Sequence, residues 1–275
     1  MSFVNVRERS LPSALRYLGD LISYRHLCWH LVGSDIRGRF RRTRLGILWA
    51  LIQPLSFAIM IAYVWGALDS RLNTWEFALY VLAGHAVYDL FSSVLVSGQT
   101  SLAVAGGYLK QARIPLFIFQ LRVTLTAVVF FAIEMIAVVG FGLAIGALPP
   151  PGEHLILVPV YVVFAGIFCC ALSVLFSIAG TFYRDLRHAS GVLLRLLFFT
   201  SPVMMPREMF AQPHLKFLEV INPMVPLLDM FRDPIMYGRM WDMQDVVVLG
   251  IWTVGLWAAA IVWSASVGRT VVFAI

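Results

Sequence analysis

Charge is scarce in this 275-residue chain. Asp, Glu, Lys and Arg make up only 13% of it, while 60% is hydrophobic and mean hydropathy is +0.83. A soluble domain carries about 25% charged residues, so this chain cannot cover itself with an ordinary wet surface. It reads as a polytopic membrane protein. Cysteine is also scarce. Cys28, Cys169 and Cys170 are the only three, which excludes a disulfide framework and leaves them as small apolar packers. No metal-ligand spacing is present. Gly-x-x-x-x-Gly-Lys-Ser/Thr, His-Glu-x-x-His and Gly-x-Ser-x-Gly are all missing, so catalysis by this chain alone has no support. If ATP is used, another chain binds it. Neither a secretory leader, an internal repeat nor a low-complexity linker is evident, and the expectation is one membrane domain over 1–275.

The most informative stretch that is present runs from Asp35 to Pro54, DIRGRFRRTRLGILWALIQP. Arg37, Arg39, Arg41, Arg42 and Arg44 end abruptly at a long apolar run. Cations of this kind stay in the cytoplasm and are drawn to anionic lipid, at about 1 kcal/mol per side chain. The net charge of +6 therefore reflects arginines at membrane ends, not a nucleic-acid partner. Residues 1–15 read as a polar tail. Residues 16–32 read as an amphipathic helix in the membrane interface, with Leu18, Leu21, Ile22, Trp29 and Val32 on one face. His26 and His30 are four apart, and an interfacial helix needs no metal there.

Hydropathy predicts an all-α core of six spans within 45–266, near 45–68, 77–98, 115–147, 155–182, 186–203 and 244–266. With six spans both termini share a side. Fourteen basic residues fall on the proposed inside and five outside, so both ends are cytoplasmic. The inside loop Ser101–Arg113 predicts a short helix parallel to the membrane. The outside connection, about 202–243, is proline-rich yet too apolar for a solvated loop, and predicts short re-entrant helices near a pathway. The polar residues within the spans are Gln53, His85, Asp89, Arg122, Glu134 and Arg195. Glu134 has two readings: a polar element of a translocation or proton path, or an interhelical pair with Arg122 or Arg195. His85 and Asp89, four apart, are placed to bond each other. The abundant aromatics favour no particular substrate.

Asp35-Ile36-Arg37-x-Arg39-Phe40, followed by Leu45-Gly46-x-x-Trp49-x-x-x-x-Pro54, resembles the signature of ABC-2 type permeases. More narrowly it resembles the membrane subunits of exporters of O-antigen, capsular polysaccharide and teichoic acid. Tyr183-Arg184-Asp185-Leu186, Ser201-Pro202, Pro206-x-x-Met209, and Asn222-Pro223 with Arg232 follow in matching order. The resemblance covers roughly 30–268. It implies a homodimer with the conduit between two copies, joined by two copies of a separate subunit that binds ATP and Mg. It implies a lipid-linked polysaccharide as cargo, in a bacterial inner membrane, with no cofactor in this chain. It places a coupling helix at Ser101–Arg113, with Tyr108, Lys110, Arg113, Arg184 and Asp185 as docking candidates. It places gate helices over 203–228, with Phe210, Phe217 and Leu218 as candidates. The five arginines become candidates for receiving lipid phosphates. Two readings stand beside this one: a permease for a small lipid or drug, and a membrane glycosyl- or acyltransferase using Glu134, Asp89 or His85 as acid or base. A proton-coupled transporter using Glu134 is a third.

Overall fold

The computed structural model describes residues 22–41, 43–68, 73–109, 114–183, 185–205, 217 and 221–267. Every regular element among them is helical. Helix α1 (Arg25–Phe40) precedes a single 3-10 turn, Gly46–Leu48, and α2 (Trp49–Leu68). Then come α3 (Thr74–Leu109), α4 (Phe117–Ala144), α5 (Leu157–Phe182) and α6 (Leu186–Thr200). Helix α7 (Met224–Arg232) passes into one π-helical turn, Asp233–Tyr237, and α8 (Met243–Val267) closes the order.

Among the described residues, five segments are long and apolar enough to cross a membrane: Gly46–Ala67, Thr74–Tyr108, Phe117–Ala144, Glu153–Phe182 and Met243–Val267. The expected fifth span is different. Helix α6 has 15 residues, about 22 Å at ~1.5 Å per residue, against a hydrocarbon layer of about 30 Å. Its buried side chains include Ser190 and Leu194, while Val192, Leu193, Leu196 and Phe199 are exposed.

Helix α3 is the hub. Its 36 residues extend about 54 Å. It touches α2, α4, α5, α6 and α7, and 61% of its apolar window is buried, against 17% for the peripheral α2 and α8. Lipid offers helices no hydrophobic gain for associating, so small side chains and close backbones decide which helix becomes central. Ala78, Ala83 and Ala86 on α3 serve that role. The expected break between a second span and a membrane-parallel helix is absent, because α3 runs without interruption through Ser101 to Leu109. Intact i to i−4 bonding leaves the backbone no reason to bend there. Lys110 and Arg113 lie outside the described residues.

Helix α1 also differs from expectation. It reaches Phe40 and so carries Asp35, Arg37 and Arg39 on its last turns. Cys28, Leu31 and Val32 are its buried residues, whereas Ile22 and Trp29 are exposed. The packed face is thus offset from the one the apolar pattern picked out. Gly46 follows, with φ +53. That left-handed conformation favours glycine, which accounts for Leu45-Gly46 where α1 gives way to the first span.

The expected short helices beyond α6 are seen in part. All nine residues of α7 are buried, against α3, α5 and α8. The centre of this block is Arg232, which is 1% exposed. Its Nη1 donates to Pro202 O at 2.6 Å, and its Nη2 donates to Tyr80 O at 2.9 Å and Val203 O at 3.0 Å. The guanidinium carbon lies 3.6 Å from the Tyr80 ring centroid. Tyr80 itself donates its hydroxyl to Pro202 O and Met205 O. Asn222 donates to Thr200 O and Ser201 Oγ and accepts from the Met224 N–H, tying the start of α7 to the end of α6.

Gly84 makes this arrangement possible. A Cβ there would stand 2.2 Å from Arg232 Nη2 and 2.6 Å from Val203 O. Gly84→Ala is expected to lower stability by on the order of 3 kcal/mol, because the overlap includes backbone that cannot yield. Thermal unfolding in detergent checks this. Gly191→Ala on α6, with nothing within 4 Å, should leave the midpoint unchanged or raise it slightly.

Candidate functional site: a polar seam between three helices

Polar side chains recur every four residues on α3: His85, Asp89, Ser93, Ser97 and Ser101. Helix α4 carries a matching series, Arg122, Thr126 and Glu134, with Phe130 between. Residues four apart share a helical face. The two series meet α1 at a cavity of about 280 Å³, whose lining includes Asp35, Arg39, Ser97, Thr100, Arg122 and Thr126. This end of the bundle carries the arginine cluster.

The cavity floor is an ion pair. Arg122 Nε donates to Asp35 Oδ2 at 2.6 Å, and its Nη2 donates to Asp35 Oδ1. Thr126 adds its hydroxyl at 3.5 Å. The planar fork of arginine matches a carboxylate in two parallel bonds. The pair is partly buried, at 16% and 28% side-chain exposure, and it ties α1 to α4. Nearby, Leu31 of α1 packs with Ala105 of α3 and Phe119 of α4 in a small separate cluster. The Cys28 thiol sits on the same side of α1. Burial pushes its pKa up, and the Arg122 charge partly offsets this.

At the far end of the seam Glu134 is 5% exposed. Its Oε2 lies 4.0 Å from His85 Nδ1, and the Asp89 side chain is its other close polar neighbour. Glu134 therefore pairs with neither Arg122, which is held by Asp35, nor Arg195. The latter is exposed and donates from Nε to Gly191 O on its own helix. His85 and Asp89, expected to bond each other, both turn toward Glu134. Gln53 is exposed on α2.

The four described arginines of the cluster are placed differently from one another. Arg39 lies over the Phe130 ring, 4.3 Å from its centroid, at the cavity. Arg37 lies back along its own helix against Gly33. Arg41 and Arg44 are exposed, and Arg42 lies outside the described residues. Among the docking candidates, Tyr108 is exposed with its ring 6.0 Å from Phe119. Asp185 is exposed and its carbonyl accepts from the first turn of α6. Arg184 lies outside the described residues, as do Phe210 and Leu218 of the gate candidates. Phe217 is 56% exposed. Ser93, Ser97, Ser101 and Thr126 were not singled out by sequence, although the four-residue spacing below His85 and Asp89 was there to find them.

A model of the family described as ABC-2 type transporter matches residues 26–236, well over half of the chain. The chain belongs to the ABC-2 type transporter family. As a member it is a non-catalytic membrane permease, and its apolar helices make it a multi-pass membrane protein. It is 26% identical over 248 residues to the O-antigen export system permease protein RfbA of Myxococcus xanthus, covering 90% of this chain and 94% of that one. It is 24% identical over 228 residues to the protein of the same name from Klebsiella pneumoniae, covering 82% and 84%. It is 22% identical over 221 residues to the polysialic acid transport protein KpsM of Escherichia coli, covering 80% and 84%. In this ABC-2 permease the signature from Asp35 to Leu45-Gly46 thus supplies the carboxylate that binds Arg122 and the glycine that turns the chain into α2.

The ion pair makes a measurable prediction. Arg122→Gln removes the bond from α1 to α4, and Cys28, 3% exposed, should react with maleimide roughly tenfold faster as its thiol regains water. Cys169 and Cys170, buried in α5, should not change.

Proposed function

We propose that this permease is the membrane subunit of an ATP-driven exporter of a lipid-linked bacterial polysaccharide, of the O-antigen or capsule kind, in the inner membrane. The observation that carries the reading is that relatives named for O-antigen export and for polysialic acid transport match it along at least 80% of its length. Two copies would form the conduit, each joined by a separate ATP-binding subunit. Tyr108, Lys110, Arg113, Arg184 and Asp185 are the proposed docking residues. Phe210, Phe217 and Leu218 are proposed for the outer gate. The arginines from Arg37 to Arg44 would gather the phosphate end of the lipid carrier at the cytoplasmic surface. Helix α6 would serve as a short fifth crossing, giving six spans and two cytoplasmic termini. Setting the buried Arg232 aside from the loop arginines strengthens the charge asymmetry behind that orientation.

Purified with its ATPase and placed in vesicles, the complex should carry lipid-linked glycan to the far leaflet only with ATP. Transport that survives ATP removal but stops when the proton gradient collapses would overturn the reading. Transport of small lipids without glycan would favour the small-substrate permease instead. Orientation has its own measurement: single cysteines placed at residues 5 and 272 should both be silent to an impermeant maleimide added outside intact cells.

A further inference from the structure

The cavity between α1, α3 and α4 has an uneven charge inventory. It holds two cations, Arg39 and Arg122, and one anion, Asp35. Arg122 is spent on Asp35 through both arms of its fork. Among the described residues Arg39 makes no ion pair within 4 Å, although Glu134 deeper in the seam feels its charge, and its exposed guanidinium lies over the Phe130 ring. One positive charge without a salt-bridge partner therefore lines the space. Hydroxyls surround it. Ser93 and Thr100 donate to Leu90 O and Ser97 O of their own helix. Those carbonyls also serve the helix backbone, so the hydroxyl hydrogens are free to swing to a stronger acceptor. At about 280 Å³ the space lies at or below the ~300 Å³ lower end of pockets for drug-sized ligands. It is too small for an oligosaccharide and suited to a single tetrahedral anion.

We propose that this cavity is a binding site for one phosphate group, with Arg39 as the charged donor and Ser93, Ser97 and Thr100 as hydroxyl donors. This deepens the export reading by separating Arg39 from the other arginines. Arg37 is turned onto its own helix and Arg41 and Arg44 are exposed away from the cavity, so Arg39, exposed at the cavity's edge, is the one described member of the cluster that lines it. The carboxylate of Asp35 does not repel the anion, because Arg122 neutralises it. The phosphate has two possible sources, a polyprenyl phosphate in the bilayer or inorganic phosphate in solution.

The test uses the full chain in phosphatidylcholine nanodiscs, with polyprenyl monophosphate as the probe and its ³¹P line broadening as the readout. Binding should saturate. Arg39→Gln, which removes a charge-assisted donor, should weaken it roughly tenfold or more. Ser97→Leu, which fills the cavity mouth from an exposed position, should do the same. Arg25→Gln, an exposed arginine at the other end of α1, should change it less than twofold. Displacement by millimolar inorganic phosphate assigns the site to the free anion, and resistance to displacement assigns it to the lipid. Unchanged binding in Arg39→Gln and Ser97→Leu overturns the proposal. So does an equal loss in Arg25→Gln, which would show diffuse surface charge. Unaltered Cys28 labelling confirms that the variants are folded. Because the assay needs neither ATP nor glycan, a complex that binds the probe but moves no polysaccharide would defeat the export reading and leave this site standing.

Discussion

A buried guanidinium organises one end of this molecule. Removing a charge from water costs several kcal/mol even after relaxation, so Arg232 persists at 1% exposure only because three carbonyls and the Tyr80 ring replace its hydration. Those partners come from α3 and from the turn after α6, which brings three parts of the chain to one point. Gly84 has no side chain because the guanidinium occupies that space. The all-round burial of α7 follows, and Asn222 and Tyr80 secure its approaches. Asp233, 2% exposed, then pairs with Arg239 to stop the π-helical turn. Irregular backbone inside a membrane protein survives only when its polar groups find protein partners, and this block shows how they do.

The arginine-rich end is built on a different principle. There α1 rests on the bundle through one bidentate pair, Asp35 with Arg122, a small apolar cluster, and the contacts of Arg39 and Phe40 with the Phe130 ring. Between them lies a cavity walled by hydroxyls, continuous along two helices with the Asp89–Glu134–His85 group. The polar seam thus runs from an exposed edge to the buried Glu134 beside the half-buried Asp89, whereas the opposite end has its polar atoms locked together. A transporter needs both a firm part and a movable one, and low local packing marks the elements that move. The family match shows a membrane permease, and on the packing contrast the Arg232 block is expected to be the firm part.

Much of this was legible in the chain, and what was not has specific causes. Scarce charge announced a multi-pass protein because lipid-facing helices tolerate nothing else. Asp35 and Gly46 stood out within a family signature. The four-residue spacing from His85 to Ser101 is legible in the sequence, but beyond Asp89 it consists of serines, which hydropathy does not set apart from a helix interior. Hydropathy treats every arginine as solvated, so Arg232 was counted among loop cations, and only its tertiary partners reveal otherwise. Helix ends are the least legible feature. The sequence after Ser101 reads as a separate short helix although α3 continues through it to Leu109, and the fifth span reads to about Val203 although α6 ends at Thr200. The partner of Glu134 was out of reach because periodicity defines faces of a helix, not which face of another helix they meet.

The central claim is that the α1 edge yields during the transport cycle while the Arg232 block stays intact. Amide hydrogen exchange on the complex with its ATPase, compared between nucleotide-free and ATP-trapped states, tests it directly. The account predicts that exchange across residues 25–40 changes by roughly tenfold or more between states while residues 224–237 remain equally protected in both. Opening of 224–237 with no change in α1 would contradict it.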